Sequence, residues 1–119
     1  GLCWSDDQYE PTVNMKILLW SDDLMSRVRI ESRWKAAGAQ LLKRDSAERP
    51  DLIVVDLTAR DAAGQIRKLR EQYPATDILA FGPHVDAEGF RAAKAAGASE
   101  CVARGSAVER VLGRLGKSG

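Results

Sequence analysis

Hydrophobic and polar positions along this chain fall into blocks of two kinds, short unbroken apolar runs and longer stretches with helical spacing. KILLW (16–20) is a run of the first kind and leads into the acidic turn SDD. LMSRVRIESRWKAAGA (24–39) is of the second kind: Ile30, Trp34 and Ala37 share a face, and Gly38 closes the predicted helix. AQLLK (39–43) predicts a short second strand, followed by DSAERP. DLIVVD (51–56) places four consecutive apolar residues between two Asp, the pattern of a strand covered on both faces, as in a parallel sheet. DAAGQIRKLREQY (61–73) sets Ile66 and Leu69 on one side and Arg, Lys, Glu and Gln on the other, until Pro74 stops it. ILAF (78–81) predicts a fourth strand, and VDAEGFRAAKAAGA a helix with Asp86 near its start and Gly97 at its end. ECVAR (100–104) predicts a fifth strand, and SAVERVLGRL a last helix with Ser106 as N-cap and an apolar stripe of Val108, Val111, Leu112 and Leu115.

Strands alternating with helices at this pace imply βαβ crossovers and a parallel sheet, hence a three-layer α/β/α domain with five strands. The 119 residues hold one such domain, expected over 15–115. Residues 1–14 lack any period and are broken by Pro11. They read as a disordered N-terminal extension or tag remnant, with Met15 as the native start and 116–119 as a C-terminal tail. A hydrophobic share of 45% excludes an intrinsically disordered chain, and a net charge of +1 gives no reason to expect direct contact with nucleic acid or an anionic membrane. The longest apolar runs fall far below the roughly 20 residues of a membrane span, and no secretory signal is visible. Cys3 and Cys101 form no CxxC and have no His or Cys cluster around them, which argues against a structural zinc site or disulfide framework. A cytoplasmic location is expected. His84, alone in a loop, reads as a solvated residue, and the terminal GKSG is no phosphate loop because position 111 is Val111 rather than Gly.

In open parallel sheets function gathers at the carboxyl ends of the strands, beside the point where strand order reverses. WSDD occurs twice, in LCWSDD (2–7) and LLWSDD (18–23), and only the second follows a predicted strand and precedes a helix. Three strand ends therefore supply polar chemistry: Ser21, Asp22 and Asp23 after the first, Asp56 after the third, and Arg104 after the fifth.

KILLWSDD, RPDLIVVDL, ILAFGPH and AAGASECVAR, in this order and spacing, resemble the receiver domains of two-component response regulators over residues 15–115. The resemblance implies a flavodoxin-like sheet in the order 2-1-3-4-5. It also implies an acidic pair that binds Mg²⁺ and an Asp that accepts phosphate. A Thr or Ser and a Lys would hold the phosphoryl oxygens, and an aromatic residue in the fifth strand would report the change. Carried over, Asp56 stands at the phosphoacceptor position and Asp22 at the second acidic position. The first acidic position is Ser21, a neutral hydroxyl where a hard cation prefers carboxylate, and Asp23 compensates only in part. Gly82 stands where the phosphate-contacting hydroxyl belongs, Arg104 where the Lys belongs, and Cys101 where the switching aromatic belongs. The second helix is expected to be short or absent, since few residues separate LLKR from RPDLIVV, and DLTARDAAG lacks the Pro-Gly loop common after the phosphoacceptor.

These departures point to a pseudo-receiver: an atypical signalling module, not an enzyme, acting by protein–protein interaction without a standard phosphorylation switch. Asp22 and Asp56 are then expected to hold Mg²⁺ weakly or not at all, with no other cofactor. The expected partner is another protein or a second copy. By resemblance its contact face would carry Arg91, Lys94 and Glu109 around the Ala-rich fourth-strand-to-fifth-strand helix. The alternative is a working receiver, phosphorylated on Asp56 with Mg²⁺ and served by a histidine kinase in a phosphorelay. A small-ligand-binding flavodoxin-like domain is the second alternative, though no Gly-rich loop follows the first strand and no Ser/His/Asp or Cys/His set converges there. Each residue also has a purely structural reading: Asp22 and Asp23 as helix caps, Asp56 as the ion-pair partner of Arg104, Cys101 as a small buried hydrophobe.

Overall fold

The computed structural model describes residues 15–44, 47–83 and 87–117, with side chains as far as Arg114. The expectations for residues 1–14, His84, Asp86 and Leu115 lie outside what is described. Five strands, β1 (Lys16–Trp20), β2 (Gln40–Leu42), β3 (Leu52–Asp56), β4 (Asp77–Gly82) and β5 (Glu100–Ala103), pair in parallel in the order β2-β1-β3-β4-β5. Four helices, α1 (Leu24–Ala36), α2 (Ala62–Gln72), α3 (Ala87–Ala96) and α4 (Arg104–Lys117), cover its two faces. This is the three-layer α/β/α, flavodoxin-like arrangement expected from the sequence.

The period-two alternation of the strands divides the core. Ile17, Leu19, Leu52, Val54 and Phe81 pack with Ile30 and Trp34 of α1 and Ala107 and Val111 of α4. Leu18, Ile53, Val55, Ile78 and Ala80 point the other way, onto Ile66 and Leu69 of α2 and Ala93 and Ala96 of α3. Because β3 is the middle strand and lies beneath helices on both sides, every residue of it is buried, which explains the unbroken LIVV run. Trp34 is fully buried, and its indole N–H reaches the Val108 carbonyl at 3.4 Å, joining α1 to α4 without leaving a polar group unmet. Among the described residues no helix is long and apolar enough to cross a membrane.

Several local expectations shift. Among the described residues between β2 and β3 there is no helix, so α2 and α3 alone serve one face of five strands. Ala37 lies on the Ile30–Trp34 face by spacing but is the exposed C-cap of α1. The Ser106 cap is also corrected. Chain β5 runs straight into α4 at Arg104, and Ser106 falls inside the first helical turn. The helix begins at the residue after the strand ends, with the Arg104 head 3.6 Å from the buried Asp56 carboxylate. At the other end α4 continues to Lys117, past the boundary expected at 115.

Candidate functional site

Strand β3 carries Asp56 to the carboxyl edge of the sheet with no exposed surface, so its charge has to be met by neighbours rather than by water. The chain turns directly after it, and Thr58 folds back: its hydroxyl donates to Asp56 Oδ1 at 2.7 Å and its backbone N–H at 2.9 Å. This is the local turn that an Asp readily forms with the residue two places on. Oδ2 accepts the Ser21 hydroxyl at 3.0 Å, from the end of the adjacent strand β1, and lies 3.6 Å from Arg104 Nη2. The Arg104 guanidinium sits 5.9 Å from the centre of the Phe81 ring and remains 45% exposed. It therefore gives Asp56 charge compensation at longer range than a hydrogen bond, while Ser21 and Thr58 make the close contacts.

Asp23 turns away from this cluster and caps α1, its carboxylate accepting the Ser26 hydroxyl at 2.8 Å and the Ser26 N–H at 3.4 Å. Those bonds, the hydroxyl first, hold its carboxyl below the usual value of 3.8. Its own N–H donates to the Ser21 hydroxyl oxygen at 3.3 Å, so Ser21 links the cap to Asp56. Asp22 also faces outward. Its Oδ2 accepts the Arg60 N–H at 2.8 Å and its Oδ1 the Arg44 guanidinium at 2.9 Å, and these two, in that order, lower its pKa. Arg44 additionally donates to the Ser21 carbonyl at 2.6 Å and lies 4.2 Å over the Trp20 ring.

Of the residues the sequence proposed, Ser21, Asp56 and Arg104 come together, while Asp22 and Asp23 sit beside them with other partners. Gly82 ends β4, buried, where a Cβ would come 3.2 Å from Leu57 Cβ. Leu57 thus borders the space that a side chain at this position would need. Cys101 packs with the α2–α3 side of the core, its thiol 3.5 Å from the Phe90 carbonyl, and burial pushes its pKa up from 9.0. Arg91 and Lys94 are exposed on α3, but Glu109 pairs with Arg33 of α1 at 3.2 Å, across the other helical layer. Two residues of the site were missed. Thr58 was legible as an Asp-x-Thr turn, whereas nothing near Asp22 in sequence pointed to Arg44.

The Mg²⁺ that the resemblance implied for Asp22 and Asp56 does not fit this donor set as arranged. Both oxygens of Asp22 already accept from Arg60 and Arg44, both oxygens of Asp56 accept from Thr58 and Ser21, and the Ser21 hydroxyl spends its proton on Asp56. A small divalent ion demands near-octahedral oxygen ligands about 2.0–2.1 Å away. Here two guanidinium groups supply the positive charge instead.

No family model matches the chain, and no curated protein matches it significantly. Solved structures do match. A response regulator from Thermotoga maritima superposes with a TM-score of 0.70 at 17% identity, covering 89% of this chain and 98% of that one. An orphan response regulator of H. pylori gives 0.69 at 17% identity, over 91% and 98% of the two chains. A CheY-like receiver domain protein from Methanospirillum hungatei gives 0.73 at 14% identity, over 88% and 96%. At these identities the likeness establishes the fold: this chain folds as response regulator receiver domains do.

Proposed function

We propose that this chain is a receiver-like signalling module that acts through protein contacts, with its acidic crevice held in one state by its own side chains rather than switched by phosphoryl transfer. The observation that carries this reading is the environment of Asp56: buried, with Oδ1 bonded twice by Thr58 and Oδ2 bonded by Ser21 beside Arg104. An attacking carboxylate oxygen needs a free lone pair directed at phosphorus and donors around the three equatorial oxygens. Here both lone pairs of Oδ1 are engaged by Thr58, Oδ2 accepts Ser21 and faces Arg104 at 3.6 Å, Gly82 supplies no side-chain donor, and a Cβ there would meet Leu57. The partner in this reading is a protein or a second copy of the chain, in the cytoplasm. It would meet the exposed side of α3, where Arg91 and Lys94 stand with Ala92 and Ala95.

The test is to incubate the full chain with Mg²⁺ and acetyl phosphate, and separately with beryllofluoride, and to follow intact mass and the amide signals around Asp56. The expected result is no phosphoryl adduct and no beryllofluoride-dependent shift. An adduct that disappears in Asp56→Asn would establish a working phosphoacceptor and replace this reading.

A further inference from the structure

We propose that Arg44 is a tethered cation, holding by one guanidinium nitrogen the place at the crevice that a free divalent ion would take. The inference rests on the reading of a self-compensated crevice and names the group that keeps it so on the Asp22 side. A single atom, Nη2, lies 2.6 Å from the Ser21 carbonyl oxygen and 2.9 Å from Asp22 Oδ1. Two oxygens of different residues, one of them charged, thus converge on one positive centre. The centre of the Trp20 ring, 4.2 Å from the guanidinium carbon, lies on a third side of the group.

The chain explains why this arginine is available. With no helix among the described residues between β2 and β3, Arg44 stands two residues beyond the end of β2, next to the strand that ends in Trp20. Its head is attached to the sheet by a short stem, so it reaches the oxygens without the loss of translational freedom that a dissolved ion suffers, which is the advantage of any linked group over a free one. A metal approaching Asp22 Oδ1 has to displace it, and the second oxygen of that carboxylate, Oδ2, is already bonded to the Arg60 N–H at 2.8 Å. Hard-cation binding and Arg44 binding therefore compete for the same two oxygens, the Ser21 carbonyl and Asp22 Oδ1.

The experiment compares the full wild-type chain with Arg44→Ala and Arg44→Gln, titrating each with MgCl₂ and following the amide signals of residues 21–23 and 56–58. Arg44→Gln keeps a polar, uncharged and shorter side chain, so it reports even if Ala disturbs the loop. Both variants are expected to bind Mg²⁺ at least tenfold more tightly than wild type, with saturating shifts at Ser21 and Asp22, and the added change Asp22→Asn is expected to abolish the gain. Equal Mg²⁺ responses in wild type and both folded variants would overturn the proposal, as would a gain that survives Asp22→Asn. A phosphoryl adduct on wild-type Asp56 would instead overturn the functional reading while leaving the competition between Arg44 and Mg²⁺ intact. The two failures are therefore separate.

Discussion

At the amino ends of β4 and β5, Arg70 reaches from α2 and donates to the carbonyls of Gly97 (2.8 and 3.0 Å), Pro74 (2.9 Å) and Thr76 (2.8 Å) and to the Ser99 hydroxyl (3.0 Å). At the carboxyl ends, Arg104 faces a buried carboxylate from 3.6 Å with nearly half its side chain in water. The same side-chain type thus joins opposite ends of one sheet in two ways. Arg70 satisfies neutral backbone acceptors in turns, with direct bonds and no opposing charge, and its stem lies where a side chain at Gly97 would stand: at that residue's φ of +126° a Cβ would come 3.0 Å from the arginine's Cβ and Cγ. Arg104 neutralises a charge that Ser21 and Thr58 already bond. The first arrangement is a structural joint. The second, together with Arg44 on Asp22, is an electrostatic balance, and a balance of charges is the kind of arrangement that ligands, metals and pH can disturb.

The comparison is broken most severely at Arg70. Arg70→Ala strips several turn carbonyls of charge-assisted donors at once and should cost about 3 kcal/mol, read as a lower urea midpoint at unchanged slope. Arg70→Lys should recover only part of this, because an ammonium cannot span the same acceptors. Arg104→Ala should cost less, about 1 kcal/mol, since the guanidinium is half exposed and Asp56 keeps its bonds to Ser21 and Thr58. A larger loss for Arg104 than for Arg70 in the same urea series would show that the crevice, not the opposite end, is the main joint.

The smallest effect is the acid response. Asp22 and Asp23 are held below 3.8 in the folded chain, so the unfolded chain binds those protons more readily. Their contribution is complete above that value and is lost as pH falls through the lower folded values. Because both carboxylates face water, the change is modest. Asp22→Asn should make the acid-side fall of melting temperature shallower than in wild type, while Arg70→Ala lowers the melting temperature at every pH without changing that slope. A slope unaltered by Asp22→Asn would mean that its contacts with Arg60 and Arg44 contribute nothing to folding.

What the sequence alone determined is what neighbouring residues encode. The unbroken apolar run before Asp56 specified a strand buried on both faces, the spacing of Ile66 and Leu69 specified which side of α2 meets the sheet, and the few residues between LLKR and RPDLIVV left room for at most a short second helix. The alternation of blocks placed Ser21, Gly82 and Arg104 at strand ends, and the resemblance to receiver domains is what marked them as departures from that pattern. Even Thr58 lay within reach of a local turn argument. Tertiary structure decided which long polar side chain met which carboxylate. Arg44 and Asp22 stand 22 positions apart and Arg33 and Glu109 stand 76 apart, and neither pair leaves a periodic trace. The contact of Leu57 with the space beside Gly82, and the start of α4 at Arg104 instead of after Ser106, likewise arose only once β3, β4 and β5 lay side by side. The physical reason is the reach of the groups. Backbone periodicity and burial are set within a turn or a strand, whereas an arginine on a flexible stem selects its partner from whatever oxygens the assembled sheet brings within several ångströms.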